Sequence, residues 1–210
     1  MNADLPILFE DGNLLVVNKP SGLLSVPGRK PELQDCVWGR LQHQFPDEEI
    51  LLVHRLDRDT SGLMIFAKNK ETQGNLGRQF EARRVHKEYV ALVHGELPEK
   101  EGVIDGPIRK DWTKNDPPVY FICPEKGKPA VTRYQVESVE GGFSRVRLFP
   151  ETGRSHQLRV HMLSLGCPIV GDPIYSPGDG GPRLCLHAER IEFYHWLKKE
   201  KLVFEEPAEF

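Results

Sequence analysis

Apolar residues fall in short blocks along this chain rather than in long periodic runs. Residues 7–9 and 14–18, separated by Asp11 and Gly12, read as two strands around a turn closed by Pro20, Ser21 and Gly22. Val37, Leu41 and Phe45 recur at helical spacing ahead of Pro46, which predicts a helix ending there. Residues 51–53 and 63–67 read as buried strands flanking the polar stretch 54–62. Residues 70–84 carry Leu76 and Phe80 on one helical face, with Gly74 and Gly77 as weak points. Residues 89–93 predict a strand, and 131–139 with 143–149 predict a hairpin turning at Gly141 and Gly142. Leu158, Met162 and Leu165 mark a helix stopped at Gly166. Residues 97–129 hold six prolines and several glycines, which predicts a long surface excursion without packed structure. The remainder reads as short strands and turns. Strands outnumber helices and no βαβ alternation persists. The expected class is therefore α+β, with a mixed, mostly antiparallel central sheet and flanking helices.

Length and composition narrow this to one globular domain over residues 1–210. The chain has 210 residues, 39% of them hydrophobic and 28% charged, which excludes disordered, collagen-like and coiled-coil classes. No apolar run approaches the ~18 residues of a membrane span, and the N-terminal stretch lacks a signal layout. The four cysteines, at 36, 123, 167 and 185, include no C-x-x-C pair, so free thiols in a reducing cytoplasm are expected and zinc is not. No GxGxxG or Walker loop is present, so no nucleotide cofactor is expected.

A net charge of −3 and a pI near 6.3 argue against a uniformly basic nucleic-acid protein. The charge is unevenly spread, however. Residues 1–17 and 192–210 are acidic. Residues 78–88 carry Arg78, Arg83, Arg84 and Lys87 against two acids, and residues 145–161 carry Arg145, Arg147, Arg154 and Arg159 against Glu151 alone. Arginine suits planar, bidentate phosphate contacts.

Three clusters carry candidate chemistry. His54-Arg55-Leu56-Asp57-Arg58-Asp59-Thr60-Ser61-Gly62 lies between two apolar strands, where a rigid sheet can hold a reactive loop. Flanking arginines would keep Asp57 ionised, as a nucleophile or base requires. A turn in which Asp57, Asp59 and Thr60 satisfy backbone groups fits the same letters. The D-x-D spacing lacks a following ligand, so no metal is expected. Thr152-Gly153-Arg154-Ser155-His156-Gln157-Leu158-Arg159-Val160-His161 opens a helix. Thr152 or Ser155 could cap it and present an anion-friendly start, or the helix could simply turn a cationic face to solvent. Lys87-Glu88-Tyr89 opens a strand, and its tyrosine is either a core aromatic or a ring facing a cleft.

Together these clusters resemble the RluA family of RNA pseudouridine synthases. HRLDRDTSG at 54–62 is similar to the family's active-site signature, Lys87–Tyr89 to its tyrosine motif and TGRSHQLRVH at 152–161 to its arginine motif. Gly171-Asp172-Pro173-Ile174-Tyr175 and Leu186-His187-Ala188 resemble two shorter patterns. Val17-Asn18-Lys19-Pro20-Ser21-Gly22 also fits, and Leu24-Ser25-Val26-Pro27-Gly28-Arg29 resembles the RluA subgroup proper. Cys185 stands where an aliphatic residue is expected.

The resemblance implies a sheet with an active-site cleft across its middle and a uridine-to-pseudouridine isomerase needing no cofactor. It makes Asp57 the essential carboxylate, acting at C1′ or on the C2′ proton, attack at C6 being a further route proposed for the family. Tyr89 becomes the active-site tyrosine, Arg154 the ion-pair partner of Asp57, Arg55 the residue that helps extrude the nucleotide, and Leu186 a wall of the uracil pocket. Arg58, Arg83, Arg84, Lys87, His156, Gln157 and Arg159 are the further candidate RNA contacts. The implied partner is a stem-loop in tRNA (anticodon loop), 23S rRNA or both, with a flipped uridine, bound by a monomer. Many relatives carry an N-terminal S4-type domain for which this chain leaves no room, so the catalytic domain is expected to select its own substrate. A non-catalytic RNA-binding or ribosome-assembly protein on the same fold is the alternative. A glycosidase would need a second acid, and Asp59 beside Arg58 is a poor one.

Overall fold

The computed structural model describes residues 4–210, which divide into two compact units. The first comprises residues up to Lys87 together with Ala188–Ala208. It opens with β1 (Ile7–Glu10) antiparallel to β2 (Leu14–Lys19), and the turn between them is held by Asp11, whose Oδ1 accepts the N–H groups of Asn13 and Leu14. Strand β2 is buried on both faces, which is why its sequence reads as a continuous apolar run rather than an alternating one. Helix α1 (Val37–Gln44) ends as predicted and is capped unusually, by the thiol of Cys36 accepting from the Gly39 N–H. The two-residue β3 (Leu51–Leu52) and β2 both pair antiparallel with β4 (Ser61–Ala67), every residue of which is buried.

Helix α2 (Lys70–Glu81) starts at Asn69, whose side chain accepts the Thr72 N–H at 2.8 Å. It seals Leu76 against Leu14, Val16, Leu63 and Ile65. Gly74 and Gly77 are tolerated because this apolar face, rather than intrinsic propensity, holds the helix in place.

The chain passes into the second unit, Glu88–His187 with Glu209 and Phe210, inside β5 (His86–His94). Residues 97–129 correct the expectation of an unpacked excursion. They contain β6 (Glu101–Asp105), β7 (Ile108–Asn115) and β8 (Pro118–Ile122). Pro107 falls between strands, Pro117 sits in the β7–β8 turn and Pro118 opens its strand, where a missing N–H costs little. Strands β7 and β8 pair with each other as a two-stranded ribbon, and Ile108 at its base also bridges antiparallel to Lys128. Strand β9 (Val131–Glu140) and β10 (Phe143–Pro150) form the predicted hairpin. Gly141 and Gly142 both take positive φ, which a tight two-residue hairpin turn demands. Within this unit β5, β10, β9 and β6 run in that order, all antiparallel.

Helix α3 (Gln157–Ser164) follows, with Gly166 at positive φ just beyond it. The chain returns to the first unit inside β11 (Leu186–His195), a ten-residue strand longer than the sequence suggested, and ends on β12 (Glu200–Glu205), antiparallel to it. The protein is thus an α+β fold built on mostly antiparallel sheet.

Gly62 fixes the closest backbone approach in the first unit. Its φ is +112°, and a Cβ there would lie 2.4 Å from the Ala188 carbonyl oxygen. Gly62→Ala is expected to cost roughly 3 kcal/mol or more in thermal unfolding. Gly12→Ala, with open space around it, is expected to stay within about 0.5 kcal/mol.

Candidate active site

The stretch 54–62 is a loop held at many points by the first unit. His54 anchors its start: Nε2 accepts the Ile65 N–H at 3.0 Å, and the ring stacks on Phe80 with centroids 4.8 Å apart. Burial, reinforced by the positive charge of Lys87, pushes its pKa down to about 3, so the ring is neutral with its proton on Nδ1. Leu56 is buried, and the Ser25 hydroxyl donates to its carbonyl at 2.7 Å while accepting from its N–H at 3.1 Å. On the other side of Asp57, the Lys19 ammonium donates to the Arg58 carbonyl at 2.7 Å and the Ser21 hydroxyl to the Asp59 carbonyl at 2.7 Å. The backbone on both sides of Asp57 is therefore fixed by residues 19–25, while the Asp57 side chain stays half-buried.

Lys19 has no exposed surface. Its two other N–H groups go to the carbonyls of Pro20 (2.9 Å) and Leu23 (2.7 Å), so all three donors of an ammonium are used. Burial pulls its pKa down to about 7 against the opposing pull of Asp59 and Asp57. Arg58 forms an ion pair with Asp59 at 3.0 Å. Arg55, Arg58, Arg83 and Arg84 are exposed, and burial lowers the half-buried Lys87 to about 8.

Arg83 closes α2 in a left-handed conformation (φ 56°). The Arg84 N–H bonds the Gln79 carbonyl and the Arg83 N–H that of Phe80, the hydrogen-bond pattern of a helix terminus normally occupied by glycine.

In the second unit, Tyr89 lies on β5 opposite Leu148 and packs against a buried cluster that includes Leu186, Val146 and Ile169. Tyr89 and the proposed uracil-pocket leucine thus share one patch. Arg154 is exposed, its Nε donating to the Pro129 carbonyl at 3.0 Å.

The rest of TGRSHQLRVH corrects the sequence reading. Helix α3 turns no cationic face to solvent: Gln157 through Met162 are all buried. Neither Thr152 nor Ser155 caps it. The Gln157 side chain instead accepts from the Arg154 N–H and the Thr152 hydroxyl, and donates to Val131 and Thr132. Arg159, 2% exposed, makes a two-pronged ion pair with Asp172, both contacts 2.7 Å. His156 is buried, left-handed (φ 55°), and its Nδ1 meets the Tyr175 hydroxyl at 2.9 Å. Arg159 and His156 therefore tie the arginine motif to Gly171-Asp172-Pro173-Ile174-Tyr175, and Gln157 ties it to the start of β9. The excess charge of 145–161 is largely answered as well, since Glu137 accepts from both Arg145 and Arg147. Among the described residues no cluster of three potential metal ligands occurs, and no helix is long and apolar enough to cross a membrane.

A sequence profile described as RNA pseudouridylate synthase matches residues 13–164. The chain belongs to the RNA pseudouridylate synthase family. It is 52% identical over 204 residues to the dual-specificity RNA pseudouridine synthase RluA of Vibrio vulnificus, covering 91% of this chain and 80% of that protein. The RluA of Escherichia coli is 47% identical over 210 residues, covering 98% and 94%. Among solved structures, human RNA pseudouridylate synthase domain containing 1 superposes with a TM-score of 0.80 at 31% identity, covering 99% of this chain and 86% of that one. Human RNA pseudouridylate synthase domain containing 4 gives 0.76 at 30%, covering 97% and 88%.

For a pseudouridylate synthase, the residue missing from the sequence-based site is Lys19. Its signal is a lysine that follows the apolar run 14–17 and Asn18 at the end of a buried strand, directly before Pro20. Ser21, Ser25 and Asp172 were visible only as letters of motifs. Lys19→Met would leave three carbonyls without their donor and is expected to destabilise the protein by about 3–5 kcal/mol in denaturant unfolding. Arg83→Gly is expected to raise stability by about 1 kcal/mol by relieving the left-handed backbone. The same substitution should weaken binding to a stem-loop RNA, so opposite signs in melting temperature and affinity are the expected signature of an RNA-contacting Arg83.

Proposed function

We propose that this protein converts uridine to pseudouridine in a stem-loop of tRNA (anticodon loop), of 23S rRNA or of both, with Asp57 as the essential carboxylate. The curated relatives named dual-specificity enzymes support the substrate class. The observation that carries the catalytic reading is the Asp57 loop, clamped at Leu56, Arg58 and Asp59 while the Asp57 side chain remains half-buried. Such a loop holds its carboxylate in place before substrate arrives, which is what positional catalysis requires.

The reaction moves C1′ of the ribose from N1 to C5 of the same uracil. It changes neither redox state nor bond count, so the proposal needs no cofactor. The Asp57 carboxylate either attacks C1′, giving a ribosyl ester, or removes the C2′ proton, giving a glycal. In both routes the N1–C1′ bond breaks and the detached uracil turns; C5 then bonds to C1′, displacing the Asp57 carboxylate from the ester or, in the glycal, as Asp57 returns its proton to C2′, and the C5 proton departs last. Tyr89 assists that last proton transfer, Arg154 pairs with Asp57, and Leu186 lines the uracil pocket. Unstacking the uridine costs a few kcal/mol, which Arg55, Arg58, Arg83, Arg84 and Lys87 offset through the RNA backbone. The protein acts as a cytoplasmic monomer.

The test is tritium release from RNA labelled at uracil C5. Wild type should release label, and Asp57→Asn should lose at least about 10³-fold in rate while still binding RNA. Equal release from both would overturn the role of Asp57, and free uracil in the product would mean hydrolysis instead.

A further inference from the structure

Trp112 is the most exposed large hydrophobic side chain among the described residues, at 68%. Its setting is constructed rather than loose. The base of the β7–β8 ribbon is anchored, with Ile108 buried alongside Val160 of α3 and with Tyr120 and Ile122 packed against them. Further out, the pairing breaks: Asp111 faces Val119 and Asn115 faces Pro118, so Trp112, Thr113 and Lys114 bulge out of the ladder.

The bulge is pinned at both ends. Asp111 Oδ1 accepts from the Thr113 N–H at 2.9 Å and from its hydroxyl at 2.6 Å, and the Asn115 side chain donates to the Trp112 carbonyl at 3.2 Å. Lys110 Nζ lies 4.6 Å from the indole centroid, and Arg109 and Lys114 are the neighbouring cations. A ribbon that spends three hydrogen bonds to hold an indole in water, with cations around it, has the composition of a base-stacking platform. Aromatic faces accept any base, and the flanking ammonium groups meet the phosphates on either side.

We propose that Trp112 stacks on an unpaired nucleobase of the substrate RNA other than the target uridine, with Lys110 and Lys114 on the adjoining phosphates. The inference rests on the RNA-isomerase reading above and adds a second grip on the loop. It makes Trp112 a specificity-determining residue for single-stranded loop over duplex.

The test uses the full chain in an Asp57→Asn background, so that binding is read without turnover. The probes are a synthetic anticodon stem-loop RNA and a blunt RNA duplex. Trp112 emission is isolated as the difference between this chain and the same chain carrying Trp112→Phe. The stem-loop should quench that signal and the duplex should not. In the active enzyme, Trp112→Ala should raise KM for the stem-loop about tenfold, with the loss in KM rather than kcat, and Trp112→Phe should restore most of it. Asp111→Ala, which unpins the bulge, should raise KM in the same direction without lowering the melting temperature appreciably. If the stem-loop binds with no quenching, or Trp112→Ala leaves KM unchanged, the platform is overturned, and a protein-facing role for the ribbon takes its place. Tritium release by the wild type reports separately on the isomerase reading, so failure of one leaves the other standing.

Discussion

A single ammonium group, buried without any contact with water, holds the segment around Asp57 together. Lys19 ends β2 and spends its three protons on the carbonyls of Pro20, Leu23 and Arg58. An unpaired charge at such depth would be untenable. The chain has to bring three oxygens to it, and in doing so it bends residues 19–25 against residues 56–59. Ser21 and Ser25 then add their own bonds along the same seam. The geometry of the candidate catalytic loop follows from the need to satisfy that one cation.

The strands and helices were largely legible because their causes are local. The apolar blocks of β2 and β4, the paired glycines of the β9–β10 turn and the Gly166 stop each act through neighbouring residues. The site was legible as letters, through five motifs in order, and less so as roles. Arg159 reads as a surface cation because nothing within its own helix answers it; its partner, Asp172, lies thirteen residues on. Gln157 likewise reads as an exposed polar residue until Val131 and Thr132 arrive from β9. The unpacked reading of 97–129 failed for a related reason. Counting prolines ignores where they fall, and here they fall between strands or at strand ends.

Charge teaches the same lesson. Four arginines stand against Glu151 alone between 145 and 161, yet Glu137 sits across the β9–β10 ladder from two of them and Asp172 takes a third. A window along the sequence counts charges that the fold has already paired. The cations left exposed, such as Arg55, Arg83, Arg84 and Arg154, are spread over separate segments, so the net charge of −3 says little about where positive charge meets solvent.

Helix α3 has a bearing on how the second unit assembles. Eight residues are too few to persist as a free helix in water, and its polar side chains are bonded to segments from Gly106 to Tyr175. The helix therefore draws its stability from those segments, and in return it couples them to one another within the unit. Damage to the buried positions Gln157, Arg159 and His161 would accordingly be felt as lost stability of the whole unit, and a survey scored on turnover alone would count these supports of the fold among the catalytic residues.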